Sequence, residues 1–191
     1  VNADCDFTGY RVLIAPMLYM IRPGVAERIE EFVAGGGTFV ATYCTGFVDE
    51  NDLCFLGGFP GPLRKVLGIW DEETDGLYDE DEGRVKLAAT SQTYTVKHLC
   101  DLVHVETAEV LATYDTDFYI SRPALTVNRF GKGRAYFIAF RNHRDFELDF
   151  YNGLIREMDL KRALDVDLPE DVTAQVRTDE TFDYIHPKLR Q

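Results

Sequence analysis

The sequence predicts a flavodoxin-like α/β domain: a mostly parallel sheet with helices on both faces, a three-layer sandwich. Three observations carry this expectation. Arg11 to Leu18, RVLIAPML, is an almost continuous apolar run, the pattern of a strand buried on both faces. An amphipathic helix pattern follows it, and the strand pattern TFVAT comes directly after the helix.

Taken in order, Val25, Ile29, Phe32 and Val33 recur at helical spacing within VAERIEEFVA. Pro23 suits the opening turn, and Gly35, Gly36 and Gly37 supply the backbone freedom that stops the helix. Thr38 to Thr42 is rich in β-branched and aromatic residues, so the three segments form a βαβ unit. From Gly46 to Tyr78 no period persists, and such long loops are usually functional. Within that stretch Pro62 to Leu67 reads as a short helix buried through Leu63, Val66 and Leu67, and Asp71 to Glu82 as a solvated acidic run. Arg84 to Ala89, Leu102 to Val105 and Glu109 to Tyr114 read as short strands. Ala124 to Phe130 and Arg134 to Phe140 flank Gly131-Lys132-Gly133 as a hairpin. Phe146, Phe150, Leu154 and Met158 mark another helix, and Val172 to Arg177 and Thr181 to Ile185 two further strands. The domain is expected over 1–168, with 169–191 opening a different, incomplete β module.

Composition narrows the function. The chain has 191 residues, 46% hydrophobic, with 20 Lys and Arg against 33 Asp and Glu. The resulting charge of −13 has the wrong sign for nucleic acid or an anionic membrane. No apolar run approaches the length of a membrane span. The chain opens on Val1 with no secretory signal pattern, so a processed or cut piece of a cytoplasmic protein is expected. Cys5, Cys44, Cys54 and Cys100 form no C-x-x-C pair and are expected as free thiols.

Candidate chemistry is sparse. Cys44 ends the strand TFVATY, where open α/β sheets place nucleophiles, and a thiol amidotransferase or hydrolase is one reading. Thr42 stands where a nucleophile elbow wants a small residue, and nothing local ties His98, His104 or His143 to the thiol as base. His98, Cys100 and His104 share strand parity, but ordinary half-buried polar residues explain them without a metal. His143-Arg144-Asp145 copies part of a kinase loop whose other parts are missing. Gly131-x-Gly133 lacks the third glycine of a dinucleotide site, and Pro16-Met17-Leu18-Tyr19 is too bulky for a flavodoxin phosphate loop. Asp49, Glu50 and Asp52 suit a wet loop as well as a glycosidase pair. No cofactor or metal is expected, and a small-molecule binding module stays open as a further reading.

Three stretches resemble the middle, trimerisation domain of glycoside hydrolase family 42 β-galactosidases. They are YRVLIAPMLYMIRPGVAERIEEFVAGGGTFVATY, GFVDENDLCFLGGFPGPLRKVLGIWDEETDGLY and AEVLATYDTDFYISRPALTVNRFGKGRAYFIAF, which span most of Tyr10 to Phe140 in order. The resemblance implies a fold like class I glutamine amidotransferases, with Cys44 not catalytic. It implies a parent enzyme that removes terminal non-reducing β-galactosyl groups with retention. Two glutamates on a preceding (β/α)8 barrel would do this chemistry, and the barrel, absent from this chain, would bind the β-galactoside. Val1 to Thr8 would then be the remains of an edge strand, and Val172 onward the start of a small C-terminal β domain. His186 to Gln191 departs from the apolar strand expected there.

A homotrimer needs a heterologous patch that closes into a ring. The loop residues Phe47, Leu53, Phe55, Phe59, Pro60 and Trp70 are the candidate interface. The alternative is that they close the domain's own core.

Overall fold

A computed structural model describes residues 5–189 apart from Asp165, Asp167, Glu170 and Glu180. It divides into two compact units, Val1–Phe146 and Glu147–Gln191. The first contains β1 (Val12–Ala15), α1 (Val25–Ala34), β2 (Thr38–Thr42), a 3-10 turn (Gly61–Leu63) and α2 (Arg64–Leu67). It continues through β3 (Ile69–Gly76), β4 (Gly83–Leu87), β5 (Thr93–Val105), β6 (Glu109–Tyr114), β7 (Pro123–Phe130), β8 (Gly133–Ile138) and β9 (Phe140–Asn142). The helix α3 (Arg144–Glu157) starts there and runs on, and the second unit ends in the hairpin β10 (Val172–Thr178) and β11 (Asp183–Leu189).

The predicted βαβ unit is present. β1 and β2 pair in parallel, and Ala26, Ile29 and Val33 bury one face of α1. Phe39 and Ala41 of β2, Phe137 of β8, and Leu63, Val66 and Leu67 share one core with that face. The expectation of a mostly parallel, flavodoxin-like sheet, like that of class I glutamine amidotransferases, is overturned. The strand order is β1-β2-β8-β7-β6-β4-β5-β3, with β9 also on β5, and only β1–β2 and β2–β8 are parallel. Every other pairing in this sheet is antiparallel. The cause is connection length. A parallel pair needs a crossover of about a dozen residues or more. From β3 onward the strands follow one another through short turns, with no helix between them until α3.

The turn between β7 and β8 shows why it is glycine-built. Gly131 has φ +58°, and a Cβ there would lie 2.6 Å from the Cα of Ala34, so the hairpin tip fits directly on the end of α1.

Further local expectations also change. The acidic run is not simply solvated: Ile69–Gly76 is the edge strand β3, and Asp71 is buried. The strand expected at Leu102–Val105 is the end of a thirteen-residue strand, whose register shifts between Val96 and Cys100, where His98 has φ +71°. Of the expected edge remnant, residues 1–4 lie outside the described residues, and 5–8 form no strand. Phe7 instead packs edge-on against Phe32 at 6.2 Å and belongs to the core. Of the C-terminal segment expected to depart from an apolar strand, His186–Leu189 belong to β11, and Arg190 and Gln191 lie outside the described residues, as does Asp167 at the expected boundary.

Candidate functional site

The loop from Gly46 to Pro60 is hung on the main chain of the segment after β1. Gly46 N–H donates to Leu18 O at 2.8 Å and Phe47 N–H to Tyr19 O at 2.9 Å, while Ile21 N–H donates to Val48 O at 2.9 Å. The far side of the loop folds back, with Phe55 N–H on Phe47 O at 3.0 Å. Asp49 closes its tip: one carboxylate oxygen accepts the N–H groups of Asn51 at 2.8 Å and Leu53 at 3.1 Å. That carboxylate is therefore a turn cap, with Glu50 and Asp52 on the exposed tip beside it.

Aromatic side chains then stack along the loop. Phe47 lies on Phe59 at 4.1 Å between centroids, and Tyr19 leans on Phe47 at 5.7 Å. Phe59 precedes a cis Pro60, which is buried, and Phe55 packs against the hydrophobic core. Trp70, on β3, stacks on His104 at 4.6 Å, and the Arg64 guanidinium stands 6.0 Å from its ring. Arg64 itself is held by both oxygens of Glu106, at 2.6 and 2.9 Å, and by Gly57 O at 3.0 Å. Burial, ring stacking and hydrogen bonds thus seat the loop while part of its apolar surface stays outside. Leu53 is 63% exposed and Leu56 98%.

Of the six candidate residues, the structure brings Phe47, Phe59 and Trp70 to half-buried positions and leaves Leu53 exposed. Phe55 and Pro60 are turned to the domain's own packing. Sequence reasoning missed Leu56 and the neighbouring Met17, Tyr19 and Met20, all exposed apolar residues. Met17, Leu18 and Met20, with Phe7, Leu13 and Ile14, line an adjoining groove of about 540 Å³. The signal was available: the apolar run continues past Pro16, where β1 has already ended.

The thiol reading fails on electrostatics. The N–H of Cys44 donates to Asp101 at 3.0 Å, so the residue faces a carboxylate. Burial, then the charges of Asp101 and Asp71, push its thiol up to about 11, which suppresses the nucleophilic thiolate. An amidotransferase needs the opposite environment. Alkylation at neutral pH is accordingly expected to label exposed Cys54 well before Cys44, and peptide mapping that finds Cys44 modified first would contradict this.

Asp101 and Asp71 are both buried, and burial raises both carboxyls out of the usual carboxylate range; the Asp101 charge raises Asp71 further. Thr74 donates its hydroxyl to Asp101 at 2.7 Å. The supposed His98–Cys100–His104 set is dispersed. Cys100 is buried and its thiol is pushed up to about 11, mainly by burial. His104 sits against Glu72 at 2.7 Å and Arg122 at 2.9 Å, and His98 lies 3.8 Å from Asp79. His143 and Asp145 pair at 3.7 Å on the surface beside the start of α3.

The family model described as "Beta-galactosidase trimerisation domain" matches residues 1–161. The β-galactosidase Pbg of Clostridium perfringens is 58% identical over 190 residues, 97% of this chain and 28% of that protein. The crystal structure of the β-galactosidase from Rahnella sp. R3 superposes with a TM-score of 0.95 at 52% identity, over 99% of this chain and 29% of that one. That of Bacillus circulans sp. alkalophilus gives 0.91 at 42%, over 96% and 27%. The chain spans 28% of the length of Pbg, so it corresponds to one part of such a protein. On the family match and these identities, the chain belongs to the trimerisation-domain family of the glycoside hydrolase family 42 β-galactosidases.

Proposed function

We propose that this chain is the part of a retaining β-galactosidase that joins three subunits into a ring, with the β2–β3 loop on the subunit contact. The observation that carries the reading is the family match over residues 1–161, on a chain whose hydrogen-bonded loop holds exposed leucines. In the parent, terminal non-reducing β-D-galactosyl groups are hydrolysed on a barrel that precedes this chain. One glutamate protonates the leaving oxygen, and a second forms and then releases the glycosyl intermediate. This chain contributes assembly to that reaction, and the β-galactoside meets the barrel.

Residues 1–168 act as the assembly domain and 169–191 begin the following β domain. Two-stranded sheets gain little stability alone, and the exposed Phe182, Tyr184, Ile185 and Leu189 of this segment fit a sheet that continues. Four free cysteines fit the reducing cytoplasm. No helix among the described residues is long and apolar enough to cross a membrane.

Within the contact, Phe47 and Phe59 stack to stiffen the loop, Pro60 and Phe55 seat it, and Leu53, Leu56 and Trp70 meet the neighbouring subunit. Pre-ordering of this kind lowers the entropic cost of association. The test uses Leu53→Asp and Leu56→Asp in the full-length enzyme. Both side chains are largely in water, so the fold should tolerate the change. A carboxylate buried at a subunit contact should weaken association by about 2 kcal/mol or more. Sedimentation should show monomers at concentrations where the unaltered enzyme is trimeric. An intact trimer in both folded variants would remove the loop from the contact.

A further inference from the structure

Behind the loop, Asp71 and Asp101 sit on adjacent strands, 2% and 0% exposed. Among the described residues, every ionisable group that acts on Asp71, Asp101 and Cys44 is an acid. Asp101 comes from β5 and Cys44 from the turn after β2. Next to Asp101 stand Cys100 and Tyr114, and Asp75 and Tyr119 act on Cys100 in turn.

Two buried carboxylates with no cation between them cannot both be ionised at reasonable cost. The hydrogen bonds decide which one keeps the charge. Asp101 accepts from the Cys44 N–H and from the Thr74 hydroxyl, both of which favour its anion. Asp71 Oδ1 has no hydrogen-bond partner among the described residues. Asp71 is therefore the acid of the pair.

Its main chain links it to the loop. Asp71 N–H donates to Phe59 O at 2.8 Å and Phe59 N–H to Asp71 O at 3.4 Å, an antiparallel bridge on the outer edge of β3. The same Phe59 carries the stack on Phe47. Lifting this segment off β3 breaks both of these main-chain bonds to Asp71.

We propose that Asp71 holds a proton which it gives up only when the Phe59 segment lifts from β3, so that each opening of the loop releases one proton. On opening, the carboxyl O–H bond breaks, the proton passes to water, and the carboxylate stays solvated. The sign follows from where the proton is held. The closed state binds it more tightly than the open state, whose exposed Asp has the ordinary pKa near 4. Closure is thus fully favoured in acid and loses ground as pH rises, by about tenfold per pH unit for one proton, until the closed state also deprotonates. Its bearing on assembly rests on the interface reading above.

Hydrogen exchange of peptides covering residues 46–61 in the full-length enzyme tests this, comparing unaltered protein with Asp71→Asn between about pH 6 and about pH 8. The ratio of the two rates cancels the intrinsic pH dependence of exchange. It should rise about tenfold per pH unit, because the amide has no proton to lose. A flat ratio overturns the proposal. If Asp71→Asn does not fold, Asp71→Ser serves as the neutral reference with the same two outcomes. Sedimentation at the same pH values separates the two readings. A rising ratio with an unchanged trimer upholds the proton lock and sinks the loop as interface; a flat ratio sinks the lock whatever the trimer does.

Discussion

Replacing Gly46 with alanine is expected to lower the stability of the domain by about 2–5 kcal/mol and to unseat the whole β2–β3 loop. Gly46 has φ +69°, which costs an L-residue about 1–2 kcal/mol. A Cβ at that position would run into the carbonyl oxygen of Pro60, with the carbonyl carbon 2.6 Å and the Cα 3.0 Å away. These are backbone atoms and cannot rotate aside as a side-chain tip does, so overpacking adds about 1–3 kcal/mol. Gly46 is also the residue whose N–H ties the loop to Leu18. The strain therefore falls where the loop leaves the sheet, and relief requires the Phe59–Pro60 segment to retreat. A lowered urea midpoint with an unchanged slope, together with faster exchange of residues 46–61, is the expected result. An unchanged midpoint would mean that Pro60 is not where the structure puts it.

The second large effect lies on the other side of the corner that carries Trp70. Asn128 on β7 is 2% exposed. Its amide donates to Val66 O at 3.0 Å and Lys65 O at 3.3 Å, and its oxygen accepts the Thr107 hydroxyl at 3.0 Å. Four residues make α2 too short to hold itself, so a buried side chain supplies the partners its last carbonyls lack. Beyond it, the Gly68 carbonyl accepts from Glu106, Thr107 and Ala108, which turns the chain into β3. Asn128→Ala leaves the buried Val66 carbonyl unpaired, at about 1–3 kcal/mol, and strips a partner from the part-buried Lys65 carbonyl and Thr107 hydroxyl. The expected loss is about 3 kcal/mol by denaturant unfolding, with Trp70 shifted relative to His104. Asn128→Asp should cost more than alanine at neutral pH, because a carboxylate would face two carbonyl oxygens. If Asn128→Asp is as stable as the unaltered chain, the capping role is wrong.

These two positions show what could be read from residue order. Val25, Ile29 and Val33 announce α1 through spacing alone, since helix periodicity is a local property. TFVAT and the Gly131 turn are equally local. Sheet direction is not carried by any single strand. It had to be inferred from connection lengths, and weighing the short links after β3 would have replaced a parallel expectation with an antiparallel one. The acidic run misled for a related reason. Asp71 reads as solvated beside Glu72 and Glu73, and only alternation along an edge strand turns it inward.

The candidate interface was partly legible. Its glycines, prolines and aromatics mark a shaped loop, but residue type does not say which of Phe55 and Leu56 faces the core. Leu56, flanked by Phe55 and Gly57, is the most exposed of them, while Phe55 packs inward.

By itself, the sequence determined the elements with local periodicity, the acidic surface charge, and the family likeness carried by the long block Gly46–Tyr78. The tertiary structure alone decided the antiparallel order of the sheet, the inward turn of Asp71 toward Asp101, and the outward turn of Leu56. The division has one cause. Periodicity and turn chemistry act between neighbours in the chain, whereas burial, charge coupling and strand order arise between residues tens of positions apart, whose meeting no local pattern records.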